Sequence, residues 1–192
     1  MGNFYLANAS SINLNFLIYI ENLYENYNYS TETKNIFPWL PLNREALLNE
    51  GELRIKAKGL WSTIFNSNDL YENDIDYWIN NKFSFSYLFK ADSVGIEAYE
   101  IVKKSFESWY WGIGYRLCTA IFSDPLVEDY HDKLVAMAKN KKLLLKDVKF
   151  YLQVIYDIPP REWQLKNENM IVISPQTQLP TVEELFGMCS VS

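Results

Sequence analysis

Residues 93–122 read SVGIEAYEIVKKSFESWYWGIGYRLCTAIF, and the fold turns on how this stretch is taken. Its first half keeps an amphipathic period, with Glu100 on the same helical face as Lys103 and Lys104. Its second half, residues 109–122, carries a single charge, Arg116. A helix that is apolar nearly all round is a buried one. The stretch therefore predicts a long central helix over about 93–122 with other helices packed around it. Gly112 and Gly114 each cost about 1 kcal/mol against alanine inside such a helix. They predict close approach of a neighbouring backbone, or else a kink or break.

On the N-terminal side, Ser10-Ser11 caps a helix reaching about Tyr27. Leu14, Leu17, Ile18, Ile20 and Leu23 form its apolar stripe, and Glu21 and Glu25 fall on the other side. Residues 28–42 read as a loop, with Pro38 and Pro41 flanking Trp39-Leu40. Asn43 caps a short helix through Leu48 that stops near Gly51. Leu53, Ile55 and Ala57 alternate with Arg54, Lys56 and Lys58, which predicts a strand over 52–58, and residues 60–65 read as helical. Asn68 or Asp69 caps a helix reaching Asn80, and Phe83, Phe85 and Tyr87 alternate as a short strand.

On the C-terminal side, Asp124-Pro125 opens a helix with Val127, Tyr130, Leu134 and Met137 at helical spacing. Lys139, Lys141 and Lys142 close it, where cations suit the dipole. Residues 147–157 fit two periods. Val148, Phe150, Leu152, Val154 and Tyr156 alternate like a strand, while Lys149, Gln153 and Asp157 make a helical polar stripe. A compact hairpin with the preceding helix favours helix, stopped by Pro159-Pro160. Residues 170–173 predict a strand. Thr181-Val182-Glu183-Glu184 is a capping box for a last helix that Gly187 ends. The expectation is a mainly α, single-domain helical bundle over residues 1–192, with two or three short strands and α+β as the alternative.

Composition narrows the chemistry. One histidine and two cysteines in 192 residues remove most of the parts of metal sites and nucleophile–base pairs, so neither catalytic residues nor a cofactor is expected. A net charge of −6 repels phosphate backbones and anionic lipid, which argues against nucleic acid and membrane surfaces as partners. The apolar piece 14–20 is too short to span a bilayer, no basic residue precedes Lys34, and the cytoplasm is the expected location. Cys118 lies in an apolar run as a reduced core thiol, and Cys189 reads as a free thiol in the tail.

Four constellations are candidates. Glu128 and His131 have the spacing of carboxylate-bridged di-metal bundles, but the motif is needed twice and no second histidine exists, so His131 reads as a surface residue. Gly112-Ile113-Gly114 lacks the third glycine of a dinucleotide fingerprint. Arg116, in an uncharged stretch, predicts an internal carboxylate, with Asp124 or Glu107 on hand, or an anionic ligand in a pocket that Trp109, Trp111 and Tyr115 also line. Asp69, Glu72, Asp74 and Asp76 stand among Tyr71, Tyr77 and Trp78. The glycine of a calcium loop is absent there. The cluster reads as a solvated helix start or as a patch for a basic protein, with aromatic anchors and steering acids.

Lys133, Lys139, Lys141, Lys142, Lys146 and Lys149 collect the opposite sign, as a solvated helix end or as the surface that a second copy's acidic cluster meets. The leading expectation for function is a small acidic interaction module that occludes a basic partner. Immunity proteins and antitoxins that neutralise nuclease-type toxins share its charge, size and missing chemistry. The alternatives are a helical ligand-binding protein or enzyme with its pocket at Arg116, and a self-assembling structural subunit.

Overall fold

The structure is a computed structural model that describes residues 4–28, 37–67, 69–145 and 149–190. In chain order the described elements are β1 (Tyr5–Ala9), α1 (Ile12–Asn28), α2 (Glu50–Phe65), α3 (Leu70–Ile79), α4 (Ser93–Trp109), α5 (Asp124–Lys141), β2 (Lys149–Val154), β3 (Lys166–Asn167), β4 (Met170–Ile173) and α6 (Val182–Cys189). The fold is mostly helical with one four-stranded mixed sheet, so the α+β alternative describes it better than a pure bundle. The chain divides into two compact units. One comprises Ser11–Ile113 and Pro159–Trp163, and the other comprises Met1–Ser10, Gly114–Ile158 and Gln164–Ser192.

The first unit is helical and built on α1, whose residues 12–24 are all buried. Its N-terminus is capped as the Ser10-Ser11 pair predicts: Ser11 Oγ accepts from the Leu14 amide at 3.1 Å. Around it the aromatic residues form a core, with Phe16 4.9 Å from Trp78, 4.9 Å from Phe85 and 4.8 Å from Phe106 between ring centroids. These spacings are those of favourable tilted and edge-on ring pairs. Much of the aromatic richness of the sequence is thus structural. Trp61 of α2 packs at 4.6 Å on Trp163, from the short segment that returns to this unit.

Three expectations fail here for identifiable reasons. Residues 52–58 are helix, because their short alternation lies inside a longer helical period of buried Leu53, Ala57, Trp61, Ile64 and Phe65. Asn49 caps that helix, accepting from the Glu52 amide at 2.9 Å, and Glu50–Arg54 and Glu52–Lys56 pairs brace its first turns. Gly51 therefore lies inside the helix rather than ending one. Asn43 does cap, but what it caps is a single 3₁₀ turn, Arg44–Ala46. Residues 85–88 also make a 3₁₀ turn, which buries Phe85 and Leu88 three residues apart instead of alternating them. Most of the expected loop over 28–42 lies outside the described residues, as does Asn68.

The expected central helix is the largest correction. Its first half is α4, with Gly95, Ala98, Tyr99, Val102 and Phe106 inward. Gly95 is required for close approach, since a Cβ there would stand 2.0 Å from the Lys90 carbonyl oxygen. Beyond Trp109 the backbone widens into π-helical turns, Tyr110–Gly114 and Leu117–Ser123. Trp111, Ile113, Tyr115, Leu117 and Ile121 there are exposed. Gly112 faces open space, so no neighbouring backbone explains it.

The second unit holds the sheet, in strand order β1-β2-β4-β3. β2 is central and parallel to both neighbours, pairing Tyr5 with Lys149 on one side and Tyr151 with Met170 on the other. β3 runs antiparallel to β4 at the edge. Residues 149–154 are therefore strand where helix was favoured. A central parallel strand is buried on both faces, which is why Phe150, Leu152, Gln153 and Val154 are all buried and Gln153 breaks the supposed polar stripe between exposed Lys149 and half-buried Asp157. Residues 146–148 lie outside the described set.

Around the sheet, α5 and α6 contribute Tyr130, Leu134, Ala138, Leu185, Phe186 and Cys189 to one core with Leu6, Cys118, Phe150, Leu152, Val154 and Ile173. Pro125 lies in the first turn of α5, and the helix ends at Lys142 in the left-handed region with φ 53°. The Thr181–Glu184 capping box forms as expected, with α6 running past Gly187 to Cys189. Strand 170–173 is likewise where the sequence placed it. Among the described residues no helix is long and apolar enough to cross a membrane.

Candidate functional site

The acidic cluster falls on α3, and helical geometry splits it into two faces. At 3.6 residues per turn, Leu70, Asp74, Tyr77 and Trp78 share one side while Glu72, Ile75, Asp76 and Ile79 share the other. Burial follows that division: Leu70 and Trp78 are in the core, whereas Glu72, Asp76 and the two isoleucines Ile75 and Ile79 are exposed, at 53% and 69% for the isoleucines.

Asp74 does not belong to the outer face. Its carboxylate accepts from Ser11 Oγ at 2.6 Å, from the Ile12 amide at 2.7 Å and from Asn13 Nδ2 at 2.8 Å. It therefore closes the N-terminus of α1, where free amides and the helix dipole favour a negative charge. Burial raises its pKa, outweighing the hydrogen bonds that favour the ionised form. Trp78 is also structural. Its Nε1 donates to Glu107 Oε1 at 3.0 Å, which gives Glu107 a role other than pairing Arg116.

Asp69 and Tyr77 are brought together. The Tyr77 hydroxyl and Ser67 Oγ both donate to the Asp69 carboxylate and hold its pKa below the usual range, helped by the nearby Lys82 charge. Lys82 Nζ sits 3.3 Å from the Tyr77 ring centroid, and the ring meets Phe83 edge-on at 5.6 Å. Tyr71 is half-buried. Of the seven residues expected in the patch, Asp69, Glu72 and Asp76 are thus exposed and Tyr71 and Tyr77 partly so, while Asp74 and Trp78 serve the fold. No ion pair among the described residues involves Glu72 or Asp76.

The site has two members that charge-based reading missed, Ile75 and Ile79. Their i, i+4 spacing beside Glu72 and Asp76 was visible in the sequence, but an apolar pair in a helix reads as core by default. Glu21 was also missed as a special group. It lies buried on α1, one carboxyl oxygen lacks a hydrogen-bond partner, and burial lifts its pKa to about 7, assisted by Glu25 and Glu162 and opposed by Arg54. Apolar neighbours at Leu17, Ile18 and Tyr24 were the available signal.

The other candidates disperse. Trp111, Tyr115 and Arg116 are exposed, so water solvates the guanidinium and no internal carboxylate is needed. Trp109 is half-buried against Phe37, at 5.1 Å, and Phe106, at 5.9 Å. His131 stacks on Phe4 at 6.2 Å and lies 3.6 Å from the adjacent Asp132, with Glu128 exposed. Among the described residues no three or more His, Cys, Asp or Glu side chains are placed to share a metal ion. Cys118 and Cys189 are both buried and in the reduced form, and burial pushes the Cys118 thiol up to about 11. Cys189 is thus a core residue of α6 rather than part of an open tail.

No protein-family model matches the chain. No curated protein and no solved structure matches it either.

Proposed function

We propose that this chain is a protein-interaction module that occludes a basic partner through the outer face of α3, in the manner of an immunity- or antitoxin-type neutraliser. One observation carries the reading: Ile75 and Ile79 stand exposed beside Glu72 and Asp76, carboxylates that no described cation pairs. Asp69 flanks them at the start of the helix. Unpaired carboxylates steer a cationic surface at long range and set its register. The isoleucines supply what charge alone does not. Each is worth roughly 1.5–3 kcal/mol when fully buried against a partner. The face is presented rigidly, because Asp74 and Trp78 on its reverse side lock α3 to α1 and to Glu107. Enzyme chemistry has no comparable convergence of groups among the described residues.

The test is capture of a basic protein from the native host by the tagged full chain, eluted in salt steps, beside the double variant Glu72→Lys/Asp76→Lys. The expected result is one stoichiometric basic protein whose retention falls at least about tenfold in the double variant, with Glu128→Lys on α5 as the unaffected control. Identical retention by wild type and the double variant removes α3 from the reading.

A further inference from the structure

The other surface with exposed apolar side chains beside unpaired charge is the end of α5. Lys139, Lys141 and Lys142 are all exposed there, and no ion pair among the described residues involves them. Lys141 Nζ lies 4.9 Å from the Phe186 ring, which holds that stem against α6. The chain then turns through Lys142 and leaves Leu143 42% and Leu144 64% exposed. Leu145 returns to the core. This end is the counterpart of the α3 face in each respect: two exposed branched aliphatics beside unpaired charges of the opposite sign. In a chain of net charge −6 a cationic surface is the exception, and it is not spent on internal pairing.

We infer that the α3 face takes a second copy of this chain, docked through its Lys139–Leu144 end in a head-to-tail contact. The inference rests on the reading of α3 as a docking face for a cationic surface and places that surface on a second copy, whose lysine-rich end is locally basic although the whole chain is acidic. Carboxylates of Glu72 and Asp76 meet the ammonium groups of Lys139 and Lys142, and Ile75 and Ile79 cover Leu143 and Leu144. The two halves of the contact are unlike, so every copy carries both, and association continues past a pair unless a ring closes. Because the steering term is ionic, assembly weakens as salt shortens the Debye length.

Charge reversal tests this with the full chain. One variant carries Glu72→Lys/Asp76→Lys and the other Lys139→Glu/Lys142→Glu, with circular dichroism confirming that each is folded. Sedimentation velocity is run on wild type, on each variant and on their equimolar mixture, at low and high salt. The expected result is association of the wild type that grows with concentration and falls with salt, and at least about a tenfold weakening in either variant alone. The mixture regains association, because each reversed face then meets its complement on the other protein. A wild type that stays monomeric at all concentrations overturns the inference, and so does association that neither variant weakens or that mixing does not restore. The same Glu72→Lys/Asp76→Lys protein separates this failure from failure of the docking face. If the wild type is monomeric but the variant loses a captured basic protein, only the second-copy partner falls. If capture is also unchanged, both fall.

Discussion

Two helical stretches of this protein invert what their sequences suggest. α1 carries Asn13, Asn15, Glu21 and Asn22, yet all four are buried. Residues 110–123 carry one charge, Arg116, yet Trp111 and Ile113 in one unit and Tyr115, Leu117 and Ile121 in the other are exposed. The difference lies in what surrounds each stretch. The amide nitrogens of the three asparagines find acceptors: Asn15 Nδ2 donates to the Ser11 carbonyl at 2.8 Å, Asn22 Nδ2 to the Phe37 carbonyl at 3.0 Å, and Asn13 Nδ2 to Asp74, while one Glu21 oxygen stays without a partner. A satisfied amide loses little by burial, whereas an unsatisfied one costs the full desolvation. The π-helical turns, in contrast, anchor themselves through few inward residues, among them Cys118 and Ser123. Local hydropathy sets which residues gain from burial. The partner surfaces that the fold supplies decide which residues obtain it.

The strongest way to break this comparison is at Asp74. Alanine there leaves Ser11 Oγ, the Ile12 amide and Asn13 Nδ2 without their shared acceptor at a buried helix end. Asp74→Ala is expected to cost about 3 kcal/mol or more in urea unfolding, the sum of a lost cap and stranded buried donors. A loss below about 1 kcal/mol means that α1 is not held by its polar partners.

Glu21 sharpens the same contrast through pH. Its folded pKa, about 7, lies above its unfolded value of 4.5. Below pH 4.5 both states hold the proton and the folded state pays nothing for the buried carboxyl. As pH rises the unfolded chain ionises first, and stability falls through pH 7 by up to about 3 kcal/mol. Glu21→Gln is expected to remove that slope, leaving the variant more stable than wild type at pH 8 and close to it at pH 4. Parallel stability profiles for the two proteins between these values contradict the assignment.

The smallest effect belongs to the other stretch. Leu117→Ser/Ile121→Ser replaces side chains 40% and 65% exposed. The expected change in unfolding free energy is within about 0.5 kcal/mol, as for ordinary surface positions. A loss of several kcal/mol means that these side chains are covered in the protein as it exists in solution.

What the sequence disclosed was the chemistry of ends. Ser11, Asn43, Pro125 and Thr181 each mark a local start that forms, because a cap depends on residues only two or three positions away. What it withheld depended on distant partners. β2 looks as much like helix as strand until β1 and β4 flank it, and those strands come from opposite ends of the chain. The candidate face was half legible: the acids of α3 drew attention, but their division into an outer pair and an inward Asp74 needed the position of α1. Exposure of Ile75 and Ile79 was not legible at all, since nothing local tells an apolar helix pair that it will lack a cover.

The pairing of β1 with β2 also has a consequence for biogenesis. Tyr5–Ala9 precedes its sheet partner Lys149–Val154 in the chain, and all four helices of the other unit lie between them. A nascent chain therefore carries an unmatched strand edge while α1 to α4 are already free to fold, and exposed edges of this kind invite pairing with other chains. Translation that stalls before residue 149 leaves β1 without its only neighbour among the described strands, while the whole of α1 to α4 has already been made.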